Sequence, residues 1–285
     1  MRFVKMHGAG NDYLYVDCFA ERVDDPVWLA KKVSDRHFGI GADGLVLICP
    51  SETADARMDI YNADGSRAKM CGNAVRCVGK YAYEHGLVSG ASMTLETLSG
   101  IKTLELSPEN GRVSRVTVNM GKPELRGLKI PTALDGEILE RPVRVGCDEY
   151  EITCVSMGNP HCILFVDDPA QYPVEAVGPI FERDPIFPEG INTEFVSVDG
   201  PGRISMRVWE RGSGETLACG TGACAALVAC ARTGRTGREA DVSLPGGCLH
   251  IRWDEQSGDV FMTGPAAELF SVEAALEQIA AWQAV

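Results

Sequence analysis

Two cysteines stand in the same local setting: Met70-Cys71-Gly72-Asn73-Ala74 is echoed by Ala218-Cys219-Gly220-Thr221-Gly222. Each marks a point where a turn gives way to a helical pattern. A thiol at a helix start feels the partial positive charge of that end, which favours the thiolate. The first N–H groups of a helix lack intrahelical acceptors, so those of Gly72-Asn73 and Gly220-Thr221 can hold a carboxylate. Glycine beside the cysteine allows close backbone approach. One motif therefore supplies both a base and an anion cradle. If two such motifs face each other, one carboxylate is held between two helix ends, with a thiol on either face of its α-carbon. That arrangement suits inversion at carbon, in which a proton leaves one face and another arrives on the opposite face. One thiol must be ionised while the other is protonated, so the two titrate as a coupled pair. The cationic helix ends lower the barrier to α-proton loss by electrostatic preorganisation. No lysine has a context that marks a pyridoxal phosphate site. The expectation is a reaction without cofactor or metal.

The echo reaches beyond the cysteines. The 148-residue shift that carries Cys71 onto Cys219 also aligns Met58-Asp59-Ile60-Tyr61 with Met206-Arg207-Val208-Trp209, Gly10-Asn11-Asp12-Tyr13 with Gly158-Asn159-Pro160-His161, and Gly86 with Gly234. A register held over so many positions reads as two homologous halves. Cys77 and Cys224 do not coincide under the shift and read as small buried residues. The eleven cysteines include no C-x-x-C pair, and their odd number in a chain without a secretory signal argues against a disulfide framework.

The elements needed to position these groups are legible. The first half opens with a strand over Tyr13–Val16, followed by a short helix over Pro26–Val33. The glycine-rich stretch Gly39–Gly44 leads into a buried strand, Leu45–Ile48. Because a strand follows these glycines, they are not a dinucleotide fingerprint. Arg57–Tyr61 alternates as a strand, and Asn62–Ser66 is a turn. Apolar residues at helical spacing then run from Ala74 to Ala82, closed by Gly86. The second half repeats the plan. Strands are expected over Cys162–Val166, Thr193–Val198 and Ile204–Trp209, and an Ala-rich helix runs from Cys219-Gly220 to about Gly234. Each half is thus many short strands around one helix that reads as apolar on nearly all sides and so must be buried. Residues 271–285 place Val272, Ala275, Leu276 and Ile279 on one face of an expected C-terminal helix packing on the first half. The fold class is α+β, with two pseudo-symmetric domains, each a barrel-like mixed sheet wrapped around a central helix. The domains are residues 1–119 with 265–285, and 120–264, with the linker near Met120–Pro123.

Composition limits the partners. The chain has 285 residues, 45% hydrophobic and 24% charged, which fits two globular domains. A net charge of −13 disfavours nucleic acid, whose binding rests on Lys and Arg. The N-terminus lacks the apolar run of a signal peptide, and the most apolar stretch, near Ala223–Ala231, is about half of what spans a bilayer. A cytoplasmic protein without membrane association is expected.

The motifs together resemble those of the diaminopimelate epimerase family. The resemblance rests on Lys5–Asp12, Asn62–Ser66, Met70–Asn73, Gly158–His161, Gly190–Asn192, and Trp209–Gly212 through Ala218–Gly222, and it covers nearly the whole chain. It implies a cofactor-independent epimerase acting on a small amino acid, diaminopimelate, with the site in the cleft between two domains and a homodimer as the working form. By the same resemblance Cys71 and Cys219 are the two bases, and His161 and Glu210 assist. Gly72, Asn73, Gly220 and Thr221 bind the carboxylate at the reacting centre. Glu210 and the Arg211 backbone receive its amino group. Asn62, Asn159, Asn192 and the Arg211 side chain hold the distal end, with Asn11 nearby. Five of the seven asparagines fall in these motifs, and Asn with Arg suits a distal amino-acid group. Two positions depart from the family. Gly44 stands where some members carry Gln, and Phe270 where some carry Tyr.

Two other readings compete. A proline or hydroxyproline racemase shares the implied fold but typically shows His where this chain has Asn73. A dithiol redox protein would use Cys71 and Cys219 as a disulfide pair.

Overall fold

The computed structural model describes residues 1–282. The chain divides into two compact units, Met1–Val118 with the segment from Gly264 onward, and Asn119–Thr263. Along the chain the first unit contains β1 (Arg2–Gly8), β2 (Asn11–Asp17), α1 (Pro26–Val33), β3 (Gly44–Cys49), β4 (Ala56–Asn62), β5 (Arg67–Ala68), α2 (Gly72–Glu84), β6 (Ser92–Thr97), β7 (Gly100–Glu109) and the start of β8 (Arg112–Gly121). The second contains β9 (Arg141–Val145), β10 (Asp148–Ser156), β11 (Pro160–Phe165), α3 (Val174–Arg183), β12 (Asn192–Gly200), β13 (Arg203–Glu210), β14 (Gly214–Thr216), α4 (Gly220–Arg232), β15 (Glu239–Leu244), β16 (Gly247–Trp253) and most of β17 (Val260–Pro265). β18 (Ala267–Glu273) and α5 (Leu276–Ala281) return to the first unit.

The two units share one topology. In the first, β1 and β2 are antiparallel, β2 and β3 parallel, β3 and β4 antiparallel, β4 and β6 parallel, and β6–β7–β8 antiparallel. The second repeats every step with β10, β11, β12, β13, β15, β16 and β17. A short partner strand joins β4 or β13, namely β5 or β14, and a flanking strand joins β1 or β10, namely β18 or β9. The sequence echo is therefore also an echo of strand pairings, in a sheet-dominated α+β fold.

In each unit the sheet curves around its long helix. α2 packs against β1 and β2 and also against β7, and α4 packs against β10 through β13 and against β15 and β16. Gly79 of α2 lies so close to the sheet that an added Cβ would meet Leu104 at 2.8 Å and Leu106 at 3.0 Å. α4 is buried through Ala and Cys, as its composition requires. α2 is buried differently from the sequence expectation: its interior face carries Arg76, which is 0% exposed, and the buried Lys80. These charges are hydrogen-bonded inside the unit, Lys80 to Glu84 and to the Val113 carbonyl. A buried helix therefore need not be apolar all round.

A second layer covers the outer sheet face. α1 is capped by the Asp25 carboxylate, which accepts from the Trp28 N–H at 2.9 Å, with Pro26 at its first position and Lys31 and Lys32 in its last turn. Leu29, Ala30 and Val33 of α1 pack with Leu14, Val16, Leu45 and Leu47. With α1 packed against it, β3 is buried along its whole length, as its unbroken apolar run indicates. In the second unit α3 plays this part, with Phe181 packed near Ile152, Leu164 and Phe195.

The C-terminal segment differs from expectation. Ser271–Glu273 belong to β18, which pairs with β1, and the helix begins only at Leu276. Val272 is β-branched and pairs opposite Phe3, so strand pairing overrides its helical spacing. The helical part does pack on the first unit through Ile279. Residues 283–285 of the expected helix lie outside the described residues. No helix among the described residues is long and apolar enough to cross a membrane.

Candidate active site

Cys71 and Cys219 are the N-cap residues of α2 and α4, and both helices run for 13 residues. Both caps have extended backbone, with φ −138° at Cys71 and −116° at Cys219, the geometry an N-cap adopts. Both helices close the same way, with positive φ at Gly86 and Gly234. The repeated motif is thus a repeated helix start.

In the first unit the Cys71 thiol donates to Asn11 Oδ1 at 3.2 Å. The Asn11 amide is held from behind, since its Nδ2 donates to Asp43 Oδ2 at 2.8 Å. Asp43 also accepts the Asp12 N–H at 3.1 Å and pairs with Arg36 at 2.9 Å. Arg36 and Lys5 both reach Asp12. Burial raises the Asp12 carboxyl, but hydrogen bonds from Arg36 and Lys5 outweigh this and hold it below its usual range. Asn73 is buried, and its side chain turns inward to accept from Arg76 Nη2 at 2.8 Å. At the helix start it presents its main chain, next to that of Gly72. Asn62 ends β4, and its Nδ2 donates to Ser66 Oγ at 2.9 Å within the expected turn.

Gly44 is explained by packing. A Cβ there would sit 2.1 Å from the Tyr61 carbonyl oxygen and 2.9 Å from the Tyr13 ring. The space a side chain would need is occupied by backbone.

In the second unit Cys219 is almost fully buried. Its sulfur accepts from the Gly222 N–H at 3.4 Å and lies 3.4 Å from Thr221 Oγ1. Asn159 Nδ2 donates to that same oxygen at 3.2 Å, and Asn159 Oδ1 meets His161 Nε2 at 3.2 Å. His161 Nδ1 is 2.6 Å from Glu194 Oε1, and both residues are 0% exposed. Burial pushes the Cys219 thiol well above its ordinary range, and the Glu210 and Glu194 carboxylates push the same way. The Thr221 and Gly222 hydrogen bonds oppose them. Burial likewise raises the Glu194 carboxyl, against the pull of His161.

The remaining expected residues of this unit make separate contacts. Asn192 Oδ1 accepts the Arg211 N–H at 2.8 Å while its Nδ2 donates to the Pro160 carbonyl at 3.0 Å. The Arg211 side chain is exposed and reaches the Glu189 carbonyl at 2.7 Å. Glu210 accepts from the Thr216 hydroxyl at 2.5 Å. Gly220 is buried in the first turn of α4.

Asp43 and Glu194 were not singled out from the sequence. The signal for Glu194 is a lone acid in the strand-like run Thr193–Val198, directly before the apolar pair Phe195-Val196. Asp43 lies in a glycine-rich loop, where nothing in the sequence marks an acid for a role. His161, Glu194 and Cys219 bring three metal-ligand atom types within 4.8 Å of one another. Both nitrogens of His161 already sit on hydrogen-bond partners, so the trio reads as part of a hydrogen-bonded chain.

Residues 3–126 and 153–269 match the model of the family described as diaminopimelate epimerase. The chain belongs to the diaminopimelate epimerase family. It is 53% identical over 280 residues to a diaminopimelate epimerase of Acetivibrio thermocellus, covering 98% of this chain and 100% of that one. It is 54% identical to a diaminopimelate epimerase of Desulfovibrio desulfuricans, covering 96% of this chain and 98% of that one. Among solved structures it resembles a hydroxyproline epimerase from Agrobacterium vitis with a TM-score of 0.71 at 18% identity, covering 97% of this chain and 91% of that chain. That likeness is one of fold.

Proposed function

We propose that this protein is an isomerase that interconverts LL- and meso-2,6-diaminopimelate, in lysine and peptidoglycan-precursor synthesis, by two-base transfer of the α-proton. The observation that carries this reading is the pair of cysteine-capped helix starts in a chain matched almost end to end by diaminopimelate epimerases.

In this reading the two units act as epimerase halves, residues 1–119 with 265–285 and residues 120–264. One thiolate removes the α-proton and the other thiol delivers a proton to the opposite face. The main-chain N–H groups at Gly72-Asn73 and Gly220-Thr221 hold the carboxylate and stabilise the charge that develops next to it. Glu210 and the Arg211 carbonyl receive the ammonium of the reacting centre. Burial above all, with two carboxylates beside it, raises the Cys219 thiol; a cation beside Glu210 offsets one of those carboxylates, so substrate binding itself lowers the cost of forming that thiolate. Asn62, Asn159, Asn192 and the Arg211 side chain hold the distal amino-acid group, with Asn11 nearby. His161 acts with Asn159 behind Cys219. The reaction needs no cofactor, and its site is cytoplasmic. The working form is a homodimer, a reading supported by the half-exposed Leu269 and Phe270 of β18 and tested by light scattering of the eluted protein.

The deciding experiment is incubation of reduced protein with LL-diaminopimelate in D₂O. Deuterium should enter the α-position as the meso form accumulates. Exchange with proline but not with diaminopimelate would transfer the assignment to a proline racemase. Exchange with neither, with reversible dithiol oxidation, would favour the redox protein.

A further inference from the structure

Behind Cys219, four side chains form one hydrogen-bonded chain: Glu194 to His161 at 2.6 Å, His161 to Asn159 at 3.2 Å, Asn159 to Thr221 at 3.2 Å, and Thr221 to the sulfur at 3.4 Å. Glu194 and His161 are 0% exposed, so a net charge on the pair is costly. The pair is neutral overall either as imidazolium with carboxylate or as imidazole with carboxylic acid. In both forms Nε2 of His161 carries a proton. That N–H donates to Asn159 Oδ1, which turns Asn159 Nδ2 toward Thr221 Oγ1. The Thr221 oxygen accepts there, and its own hydrogen is left to point at Cys219. Gly222 makes room for this arrangement, since a Cβ there would sit 2.5 Å from Glu194 Oε1 and 3.3 Å from the Cys219 sulfur.

We propose that Glu194 is a positioning residue for Cys219: it fixes the proton on His161 Nε2 and so, through Asn159 and Thr221, aims a hydroxyl donor at the reacting sulfur. The proposal rests on the reading of Cys219 as one of the two bases. What matters is which nitrogen of His161 carries the hydrogen, and this separates two substitutions. Glu194→Leu removes the group that holds Nδ1. Glu194→Gln can donate its amide hydrogen to Nδ1, which keeps the proton on Nε2. Its carbonyl then takes the place of Glu194 Oε2, an atom that already has no hydrogen-bond partner among the described residues.

The test compares iodoacetamide alkylation of Cys219 with that of Cys71 in the full-length protein by peptide mass spectrometry, alongside kcat and KM. Glu194→Leu and Glu194→Gln both lose the carboxylate that helps push the Cys219 thiol up, so the two are compared with each other: Glu194→Leu should alkylate Cys219 more slowly and show a kcat about 10- to 100-fold lower, the range for a hydrogen bond to a charged group, while Cys71 reacts as before. Glu194→Gln should restore most of both. Thr221→Val, which keeps the shape and removes the hydroxyl, should act like Glu194→Leu, and the double variant should be no slower than the worse single one. Wild-type alkylation of Cys219 in Thr221→Val overturns the proposal. So does a Glu194→Gln variant as impaired as Glu194→Leu, or a double variant whose loss is the product of the two. If Glu194→Leu does not fold, the Thr221→Val and Glu194→Gln results decide. Alkylation is read without substrate, so a protein that behaves as expected here yet exchanges no diaminopimelate hydrogen refutes the substrate assignment and leaves the positioning role standing.

Discussion

Asn11 and Asn159 occupy equivalent positions in the repeat, and their amides are turned in opposite senses. Asn11 offers its carbonyl to the Cys71 thiol and its Nδ2 to Asp43. Asn159 offers its Nδ2 to the hydroxyl beside Cys219 and its carbonyl to His161. An acid anchors each amide, Asp43 directly and Glu194 through His161. A carboxylate accepts only, so Asp43 dictates which end of Asn11 it holds. Cys71 therefore faces an acceptor and Cys219 faces donors. This asymmetry suits a pair of thiols of which one must hold a proton while the other lacks it.

Asp43→Ala should release the Asn11 amide. With the carboxylate gone, Oδ1 is no longer fixed toward Cys71, and kcat should fall by roughly tenfold, the equivalent of about one hydrogen bond. Alkylation of Cys71 should change and that of Cys219 should not. Unchanged kinetics together with unchanged Cys71 reactivity would show that the anchor does not matter.

Cys71→Ala and Cys219→Ala should each abolish epimerisation, because losing either acid/base partner costs about 10²–10⁴-fold and inversion needs both. The measurement is α-deuterium incorporation together with conversion to the meso form. Full activity in either variant would end the two-base reading.

Much of this was legible in the sequence, and the reasons are physical. Pro26–Val33 announced its helix through an Asp cap, an N1 proline and terminal lysines. Cys71 and Cys219 announced themselves because the same Cys-Gly pair recurs at the register of the whole repeat. The end of β18 reads as helix in the sequence because Val272 shares helical spacing with Leu276 and Ile279, and only pairing with β1 decides against it. Arg76 and Lys80 escaped notice because a sequence does not say which polar groups a folded sheet will satisfy from the other side. Glu194 escaped because the partner that makes a buried acid tolerable, His161, lies 33 positions away in sequence and meets it only through the parallel pairing of β11 and β12.

Cys77 contrasts with the two cysteines proposed as bases. It is 0% exposed inside α2, and burial pushes its thiol up to about 11. The folded protein therefore holds this proton more tightly than the unfolded chain does. The stabilisation is complete below about pH 9 and is lost as the pH climbs through 11. Cys77→Ala should leave epimerisation intact and cost about 1 kcal/mol at neutral pH through lost burial. It should also flatten the fall in stability between pH 9 and 11 in urea titrations. A variant whose alkaline loss matches the wild type would show that other groups, such as Tyr81, pushed up to about 12, govern that limb.

Arg76 ties the helix start of the first unit to its surroundings. It donates to the Gly72 carbonyl at 3.2 Å, to Asn73 Oδ1 at 2.8 Å and to the Pro265 carbonyl at 3.1 Å. Gly8 is required beside it, since a Cβ there would lie 2.9 Å from the Asn73 carbonyl oxygen and 3.0 Å from Arg76 Nη2. A buried cation one turn in from the helix start works against the helix dipole, yet it adds positive potential behind the main chain proposed to cradle the carboxylate. Arg76→Met keeps much of the volume and removes the charge and the donors. It should destabilise the fold by about 1–3 kcal/mol through acceptors left buried without partners. At temperatures where the variant is fully folded, KM for diaminopimelate should rise and Cys71 alkylation should slow, since both the carboxylate and the thiolate lose a nearby positive charge. A variant that is less stable but unchanged in KM and in Cys71 reactivity would confine Arg76 to a structural role.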